Sequence, residues 1–365
     1  SQKALGILAK EWKKQWKGTA IALTGSNGKT TLKEMIASIL REKGQTLATE
    51  GNYNNHVGCP LTVLKLTDQH EYAVIEMGAN HFEEIRYLTQ IVQPNVAIVN
   101  NAGPCHLEGF GDVEGVAKAK GEIFEGLGKD GIAVINADDE YANYWQSINT
   151  EHKVMTFGIK NAADVMAKNI QKQSFELVIN GESVHVDLAL VGVHNILNAC
   201  AAAAATYAIG ITLSEIKQGL ENLHCVKGRL EKIQLSPNHI LINDAYNGNP
   251  ASLKAGIDAL EDIADHTWLV LGDMRELGDL AVALHEESGR YAKSKGFDQL
   301  FALGELSQKS AEAFGEGGRH FDHHDDIIAA LHQDLKAIQN ESVAILVKGS
   351  NSMKMFVVAE AMMKQ

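Results

Sequence analysis

The chain has 365 residues, 45% of them hydrophobic, and its 46 acidic against 33 basic side chains give a formal net charge of −13 at pH 7. That length predicts two domains, and the acidic balance argues against nucleic acid or an anionic membrane surface as a partner. No run of about 18 apolar residues occurs, so no membrane span is expected, and the four scattered cysteines, Cys59, Cys105, Cys200 and Cys225, form no CxxC pair and fit a reduced, cytoplasmic protein.

Residues 1–16 read as an amphipathic helix. The apolar run Thr19–Leu23 then leads into Thr24-Gly25-Ser26-Asn27-Gly28-Lys29-Thr30-Thr31, followed by a helical pattern to Lys43. A buried strand, a glycine turn and a helix N-terminus make a phosphate cradle, because glycines let the backbone wrap an anion and the helix end offers N–H groups. Lys29 is placed to reach the β- and γ-phosphates, and the Thr30 hydroxyl to bind Mg2+. The general G-x-x-x-x-G-K-S/T motif would need glycine where Leu23 stands, so this is a shorter form. A plain glycine turn is the alternative, and Gly-Lys-Thr-Thr directly after a strand weighs against it.

Further strands are expected at Tyr72–Met77, Asn95–Asn100 and Gly131–Asn136, with helices at Lys29–Lys43, Phe82–Ile91 and Val113–Leu127 between them. Short apolar strands alternating with helices predict a parallel sheet covered on both faces. From Val165 to Leu190 the pattern changes to β-hairpins, followed by helices at Val193–Ile209 and Leu213–Leu223. A second alternating set has strands at Leu230–Leu235, His239–Asp244, Trp268–Gly272, Gln299–Leu303 and Val343–Val347. Its helices are Ala251–Ile263, Ala281–Lys295, Asp325–Ala337 and Met353–Met363. The fold class is therefore α/β: a P-loop domain with a mostly parallel sheet over residues 1–226, then a Rossmann-like α/β domain over residues 227–365. A ligand crevice is expected at the carboxyl ends of the strands.

Several residues at predicted strand ends carry possible chemistry. Glu76 closes a strand beside the phosphate loop, a suitable place for a Mg2+ ligand, although a solvated strand-end glutamate would look the same. His106 follows the next strand at the same sheet edge and is a second metal candidate. Pairing it with the adjacent Cys105 in a soft-metal site is disfavoured, since adjacent residues rarely chelate one ion. Lys120 reads as an ordinary helix lysine. Arg229, at the domain junction, is either a γ-phosphate contact or a salt-bridge partner. The turns Asn243–Pro250, Leu271–Gly278 and Lys348–Ser352 each follow a strand and are candidate site loops. The stretch His320–Asp326 has the composition of a metal site but no standard ligand spacing, and an exposed loop with a helix cap is preferred.

Taken together these strings resemble the Mur ligases of peptidoglycan synthesis. TGSNGKTT matches the family's short P-loop, Gly192-Val193-His194-Asn195-Ile196-Leu197-Asn198 its GxHNxxN segment, and Gly228-Arg229-Leu230-Glu231 its GR-x-E arginine. EMGAN at Glu76, HLEGFG at His106, AKAKGEIF at Lys120, DAYNGNP at Asp244, GDMRELG at Asp273 and VKGSNSM at Lys348 resemble the branch that adds D-alanyl-D-alanine to UDP-N-acetylmuramoyl-tripeptide. The resemblance implies an ATP-dependent ligase acting through an acyl phosphate. Gly25, Asn27, Gly28, Lys29, Thr30 and Thr31 would hold ATP, with Asn195 and Asn198 near the nucleotide. Arg229 would meet the γ-phosphate, and Asp244 the ribose or phosphate. Thr30, Glu76, His106 and a carbamylated Lys120 would bind two Mg2+ ions, and Lys29, His106, Lys120 and Arg229 would be catalytic. Asn247, Asn249, Lys348 and Ser350 would face the substrates, UDP-N-acetylmuramoyl-tripeptide and D-alanyl-D-alanine. A cytoplasmic monomer is implied. Family members carry an N-terminal domain for the uridine end of the substrate, and this sequence starts just before the P-loop strand, so that domain is expected to be absent from it.

Three other readings compete. A folylpolyglutamate synthase shares the P-loop logic but would lack the DAYNGNP and GDMRELG pair. A nucleotide-binding regulatory protein would not need Glu76, His106 and Lys120 together. A simple kinase or GTPase is the third, and guanine recognition would usually add an NKxD-like string, which is missing.

Overall fold

The computed structural model describes residues 2–223, 228, 231–261, 263–338 and 340–363. They fall into two compact units: Ser1–Ala189 with Val193–His224, and Leu190–Gly192 with Cys225–Gln365.

The first unit carries nine strands: β1 (Thr19–Thr24), β2 (Thr46–Ala48), β3 (Tyr72–Glu76), β4 (Val96–Val99), β5 (Ile132–Asn136), β6 (Lys153–Gly158), β7 (Val165–Gln171), β8 (Ser174–Ile179) and β9 (Glu182–Asp187). Its helices are α1 (Gln2–Gln15), α2 (Lys29–Arg41), α3 (Gly58–Val63), α4 (Glu84–Val92), α5 (Leu107–Phe110), α6 (Val113–Gly121), α7 (Ala142–Ser147), α8 (Val193–Tyr207) and α9 (Leu213–Glu221). The strands form one sheet in the order β2-β3-β1-β4-β5-β6-β7-β8-β9. Pairing is parallel from β2 to β7, and β7-β8-β9 is an antiparallel meander. The central strands are mainly apolar because helices cover both faces.

Register decides the site. Leu23 pairs with Glu76 and Thr24 with Val99, so β3, β1 and β4 finish at one level. The helix after β1 is held from outside. Gly219 of α9 lies so close to α2 that an added Cβ would sit 2.4 Å from Ile39 Cα, and Ser38 Oγ donates to Gly219 O at 2.7 Å. Ala199 to Ala205, read from sequence as a packed helix stretch, lies in α8, and each of its residues is buried.

The second unit has β10 (Glu231–Gln234), β11 (His239–Asp244), β12 (His266–Gly272), β13 (Gln299–Leu303), β14 (Gly318–Phe321) and β15 (Val343–Lys348). Its helices are α10 (Pro250–Ala259), α11 (Ala281–Ser294), α12 (Glu305–Phe314), α13 (His324–Ala337) and α14 (Phe356–Met362). The sheet order is β10-β11-β15-β12-β13-β14, parallel except for the edge pair β10–β11. Two cores lie on its two faces, one with Leu253, Leu269 and Leu300, the other with Trp268, Phe301 and Val358. A buried histidine joins two of its elements. His285 Nε2 accepts from Met274 N at 3.0 Å and Nδ1 donates to Ala281 O at 2.7 Å, and burial lowers its pKa, keeping it neutral.

Some expected elements differ. The helix predicted over Val113–Leu127 is α6 to Gly121 and then a 3-10 turn, Glu122–Gly126. The tightening lets Glu122 accept from Glu83 N and Arg86 N, so a carboxylate caps α4. The helix predicted from Ala251 to Ile263 stops at Ala259, and Asn351–Met353 is a 3-10 turn ahead of α14. The short strands β2, β6 and β14 and helices α3, α5, α7 and α12 were not predicted. The Gly304 that opens α12 has φ 110° and no side-chain cap, so no start signal marks it. The His320–Asp326 stretch runs from β14 into α13 with His323 at its N-cap, and His320 Nε2 and His324 Nε2 contact the Gly304 and Met353 carbonyls at 3.1 and 2.8 Å.

Gly219→Ala is expected to lower the stability of the intact chain by about 1–3 kcal/mol through overpacking against α2. A shift of the urea unfolding midpoint checks this, and an unchanged midpoint counts against the close approach.

Candidate active site: a phosphate loop beside a buried carboxylate

The phosphate loop leaves β1 at Thr24, whose hydroxyl donates to Met77 O at 2.8 Å. Gly28 adopts φ 77°, and a Cβ there would lie 2.7 Å from Asn198 Oδ1 and 3.0 Å from Asn100 Nδ2. Only glycine fits both the backbone and the space. Gly28 is also the N-cap of α2 and makes no side-chain cap bond. The regular helical bonding of α2 starts with Leu32 N donating to Gly28 O at 2.8 Å, and a helix N-terminus of this kind favours an anion.

Two further N–H groups of the loop are committed. Ser26 N donates to Asn101 O at 3.0 Å and Asn27 N to Asn101 Oδ1 at 2.8 Å. Asn27 O accepts from Asn101 Nδ2 at 3.0 Å and Asn100 Nδ2 at 3.1 Å. The Asn101 amide thus binds both polar groups of one peptide residue, as a neighbouring strand would. Behind it, Asn100 Nδ2 donates to Asn198 Oδ1 at 2.8 Å and Asn198 Nδ2 to Asn195 Oδ1 at 3.4 Å. Asn195 and Asn198, expected near the nucleotide, are buried, and Asn198 supports the loop that would hold its phosphates. Lys29 Nζ folds back onto Gly25 O at 2.8 Å and Ser26 O at 3.5 Å. Phosphate oxygens would offer it stronger, charge-assisted bonds.

Glu76 is buried at the end of β3. Its Oε1 accepts from Asn54 Nδ2 at 2.8 Å, while Oε2 is buried with no hydrogen-bond partner. An unpartnered buried carboxylate oxygen beside a phosphate loop fits a cation ligand, since a bound cation would offset its desolvation. Among the described residues no cluster of three or more His, Cys, Asp or Glu side chains could hold a metal. A Mg2+ ion is commonly held by one or two carboxylates plus substrate phosphates, a role Glu76 could serve. Thr30, on the first turn of α2, is buried. His106 sits at the N-cap of α5 with φ 50° and ψ 37°, a left-handed conformation costly for a non-glycine residue.

Lys120 is buried on α6, and among the described residues its amine has no hydrogen bond or ion pair. Burial pushes its pKa down to about 8, the nearby Lys29 charge adds to this, and Cys105 opposes it. Cys105 is itself close to the loop, with Sγ 3.1 Å from Ser26 Oγ. The sequence made Lys120 look like a surface lysine. The fold makes it a buried amine near the phosphate loop.

In the second unit, Asp244 and Lys348 end adjacent strands and form a buried ion pair. Lys348 Nζ also lies 3.3 Å from Asn247 O, and Asn351 Nδ2 donates to Tyr246 O at 2.9 Å, so the DAYNGNP and VKGSNSM loops interlock. Asn249 caps α10 by accepting from Ser252 N at 2.8 Å. Ser350 Oγ accepts from Arg275 N at 2.8 Å. Both side chains expected at the substrate therefore also hold backbone turns. Arg229 lies outside the described residues. Its neighbour Glu231 binds Gly228 N and Asn243 Nδ2, each at 3.0 Å.

The sequence reading missed Ser26, Asn54, Asn100 and Asn101. For Asn100 and Asn101 the signal was a pair of asparagines at a predicted strand end, where a backbone-mimicking amide is of most use; Ser26 and Asn54 carried no such signal.

Two family profiles match the chain: the Mur ligase middle domain over residues 23–206 and the Mur ligase glutamate ligase domain over residues 228–351. The UDP-N-acetylmuramoyl-tripeptide--D-alanyl-D-alanine ligase of Escherichia coli is 45% identical over 365 residues, covering 98% of this chain and 80% of that protein. A crystal structure of MurF from Acinetobacter baumannii is 36% identical with a TM-score of 0.93, covering 100% of this chain and 81% of that one. MurF ligase from Thermotoga maritima, in complex with ADP, is 28% identical with a TM-score of 0.88, covering 100% and 83%.

If Lys29 serves as the phosphate-binding cation its sequence position suggests, Lys29→Ala is expected to cut turnover to below about a tenth of the starting rate. Asn101→Ala is expected to raise KM for ATP about tenfold while sparing kcat, since two loop hydrogen bonds are lost away from the reacting atoms. Steady-state kinetics on both variants separates the two roles.

Proposed function

The chain belongs to the Mur ligase family, and from that we propose how its residues serve the reaction. It is an ATP-dependent amide ligase that joins D-alanyl-D-alanine to UDP-N-acetylmuramoyl-tripeptide in peptidoglycan precursor synthesis. The observation that most directly supports the chemistry is the uncapped phosphate loop aligned by strand register with the buried Glu76.

In the proposed sequence the terminal carboxylate of the tripeptide attacks the γ-phosphorus of ATP, giving an acyl phosphate and ADP. The amine of D-alanyl-D-alanine then attacks the acyl carbon, phosphate leaves, and the new amide nitrogen loses its proton. Thr30, Glu76, His106 and carbamylated Lys120 would hold two Mg2+ ions, whose charge offsets the repulsion between carboxylate and triphosphate. Lys29 gives up the Gly25 carbonyl and binds phosphate oxygens. The N–H groups at the start of α2 bind the β-phosphate, and Gly25 and Gly28 let the backbone approach it. Asn27, Thr31, Asn195 and Asn198 keep the loop in shape. Arg229 is proposed as a γ-phosphate contact from its sequence string. Asp244, oriented by Lys348, is proposed to position the nucleotide, with Asn247, Asn249 and Ser350 shaping the substrate face of the second unit. We take residues 1–226 as the ATP-binding domain and 227–365 as the ligase domain of a cytoplasmic monomer.

Carbamylation of Lys120 consumes CO2 and releases a proton, and it needs the neutral amine. With a pKa near 8, roughly a tenth of the lysine is neutral at pH 7, against well under a thousandth for an ordinary lysine. The burial that makes an ammonium costly thus favours conversion to an anionic ligand once a cation is near.

The decisive assay is phosphate release from Mg-ATP with UDP-N-acetylmuramoyl-tripeptide, with and without D-alanyl-D-alanine. Release that depends on both substrates is expected, and release indifferent to the dipeptide would refute the proposed sequence. For Lys120, a carbon-13 carbamate resonance is expected after incubation with labelled bicarbonate, and it should vanish in a nearly inactive Lys120→Ala variant. A Lys120→Ala variant with full rate and unchanged Mg2+ dependence would remove the carbamate from the scheme.

A further inference from the structure

The two oxygens of Glu76 have unlike surroundings. Oε1 is occupied by the Asn54 amide at 2.8 Å, and Oε2 is buried and unpartnered. Because a carboxylate only accepts, the Asn54 amide must turn its NH2 side toward Glu76.

Asn54 is held in place independently of that bond. Its carbonyl accepts from Gly78 N at 2.9 Å, and its own N–H donates to Asn52 O at 2.7 Å. Gly78 has no side chain, and a Cβ there would lie 3.1 Å from the Asn54 amide. The start of the same segment is fixed as well. Thr49 N donates to Val74 O at 3.0 Å, and the Thr49 hydroxyl accepts from Glu76 N at 3.0 Å. Thr49 O accepts from Lys33 Nζ at 2.6 Å, a fully buried lysine one turn beyond Lys29 on α2 that also pairs with Glu34. The strap from Thr49 to Asn54 is thus pinned to β3 and to the phosphate-loop helix. Glu76 meets an amide carried on a backbone that is hydrogen-bonded at both its N–H and its carbonyl.

We propose that Asn54 sets the cation specificity of the site: by occupying Oε1 it leaves Glu76 to bind through Oε2 alone, which favours Mg2+ over Ca2+. The proposal rests on the reading of Glu76 as a cation ligand. Mg2+ demands near-ideal octahedral geometry, while Ca2+ takes six to eight oxygens and gains from a carboxylate that offers both. A carboxylate limited to one oxygen withholds that gain. Partners that orient a ligand in this way commonly change metal affinity by about 10–100-fold when removed.

The test is protein-bound Mn2+ measured by electron paramagnetic resonance on the full chain with ADP, titrated with Mg2+ or Ca2+ as displacing ion. Wild type, Asn54→Ala, Asn54→Leu and Glu76→Gln are compared. Asn54→Leu fills the amide's volume without a polar atom, so it keeps the strap packed where alanine would loosen it. In wild type, Mg2+ displaces Mn2+ at lower concentration than Ca2+ does. Both Asn54 variants are expected to bind Mn2+ about tenfold more weakly and to shift the Ca2+-to-Mg2+ displacement ratio about tenfold toward Ca2+. Glu76→Gln loses the bound Mn2+. Unchanged Mn2+ affinity and displacement ratio in both Asn54 variants, with Mn2+ lost in Glu76→Gln, would overturn the role of Asn54. Mn2+ retained by Glu76→Gln would overturn the reading of Glu76 itself, and the proposal with it.

Discussion

Everything in the first unit depends on three strands ending at the same level. The parallel register that sets Leu23 against Glu76 and Thr24 against Val99 is a backbone property, fixed by hydrogen bonds and by apolar strands buried on both faces. Because those strands stop together, the glycine loop, the buried glutamate and the Asn100–Asn101 pair emerge side by side. A slip of one residue would point Glu76 to the opposite face of the sheet. The chemistry is therefore specified by side chains whose only task is to be apolar and well packed.

The polar groups around the site share a second constraint, which is that none can be left idle at depth without cost. Asparagine appears repeatedly because it both donates and accepts, and so completes a broken backbone ladder. Asn101 does this for Asn27, and Asn100 reaches Asn27 and Asn198 with one NH2 group. The orphaned Glu76 Oε2 and the unpaired Lys120 amine stand out against this background. Asn100 Oδ1, beside the same loop, is a second buried oxygen without a partner, and of the two unpartnered oxygens only that of Glu76 carries a carboxylate's charge.

Much of this was legible in the sequence. The strands Thr19–Thr24, His239–Asp244 and Gln299–Leu303 emerge with the predicted bounds, because apolar runs closed by turn residues carry a strong local signal. The loop residues Gly25 to Thr31 and Glu76 could be read from spacing. Lys120 could not, since its burial comes from the packing of α6 rather than from its neighbours in sequence. The short strands β2 and β14 were hidden because each pairs with a longer strand, and β6 because its exposed first residues break the apolar pattern. Asn54 and Asn101 were hidden because their partners lie in distant segments. Asn249 and Ser350 were singled out as substrate residues, and the backbone turns they hold depend on contacts that no spacing rule reveals.

Gly28 has a further consequence for how this chain can vary through descent. The space a side chain would need there is filled by Asn198 and Asn100, two residues 98 positions apart in the chain. A change at any one of the three is felt by the other two, so their effects will not add. Drift at such positions is expected to be joint or absent, and a substitution deep in α8 would behave genetically as a lesion of the phosphate loop.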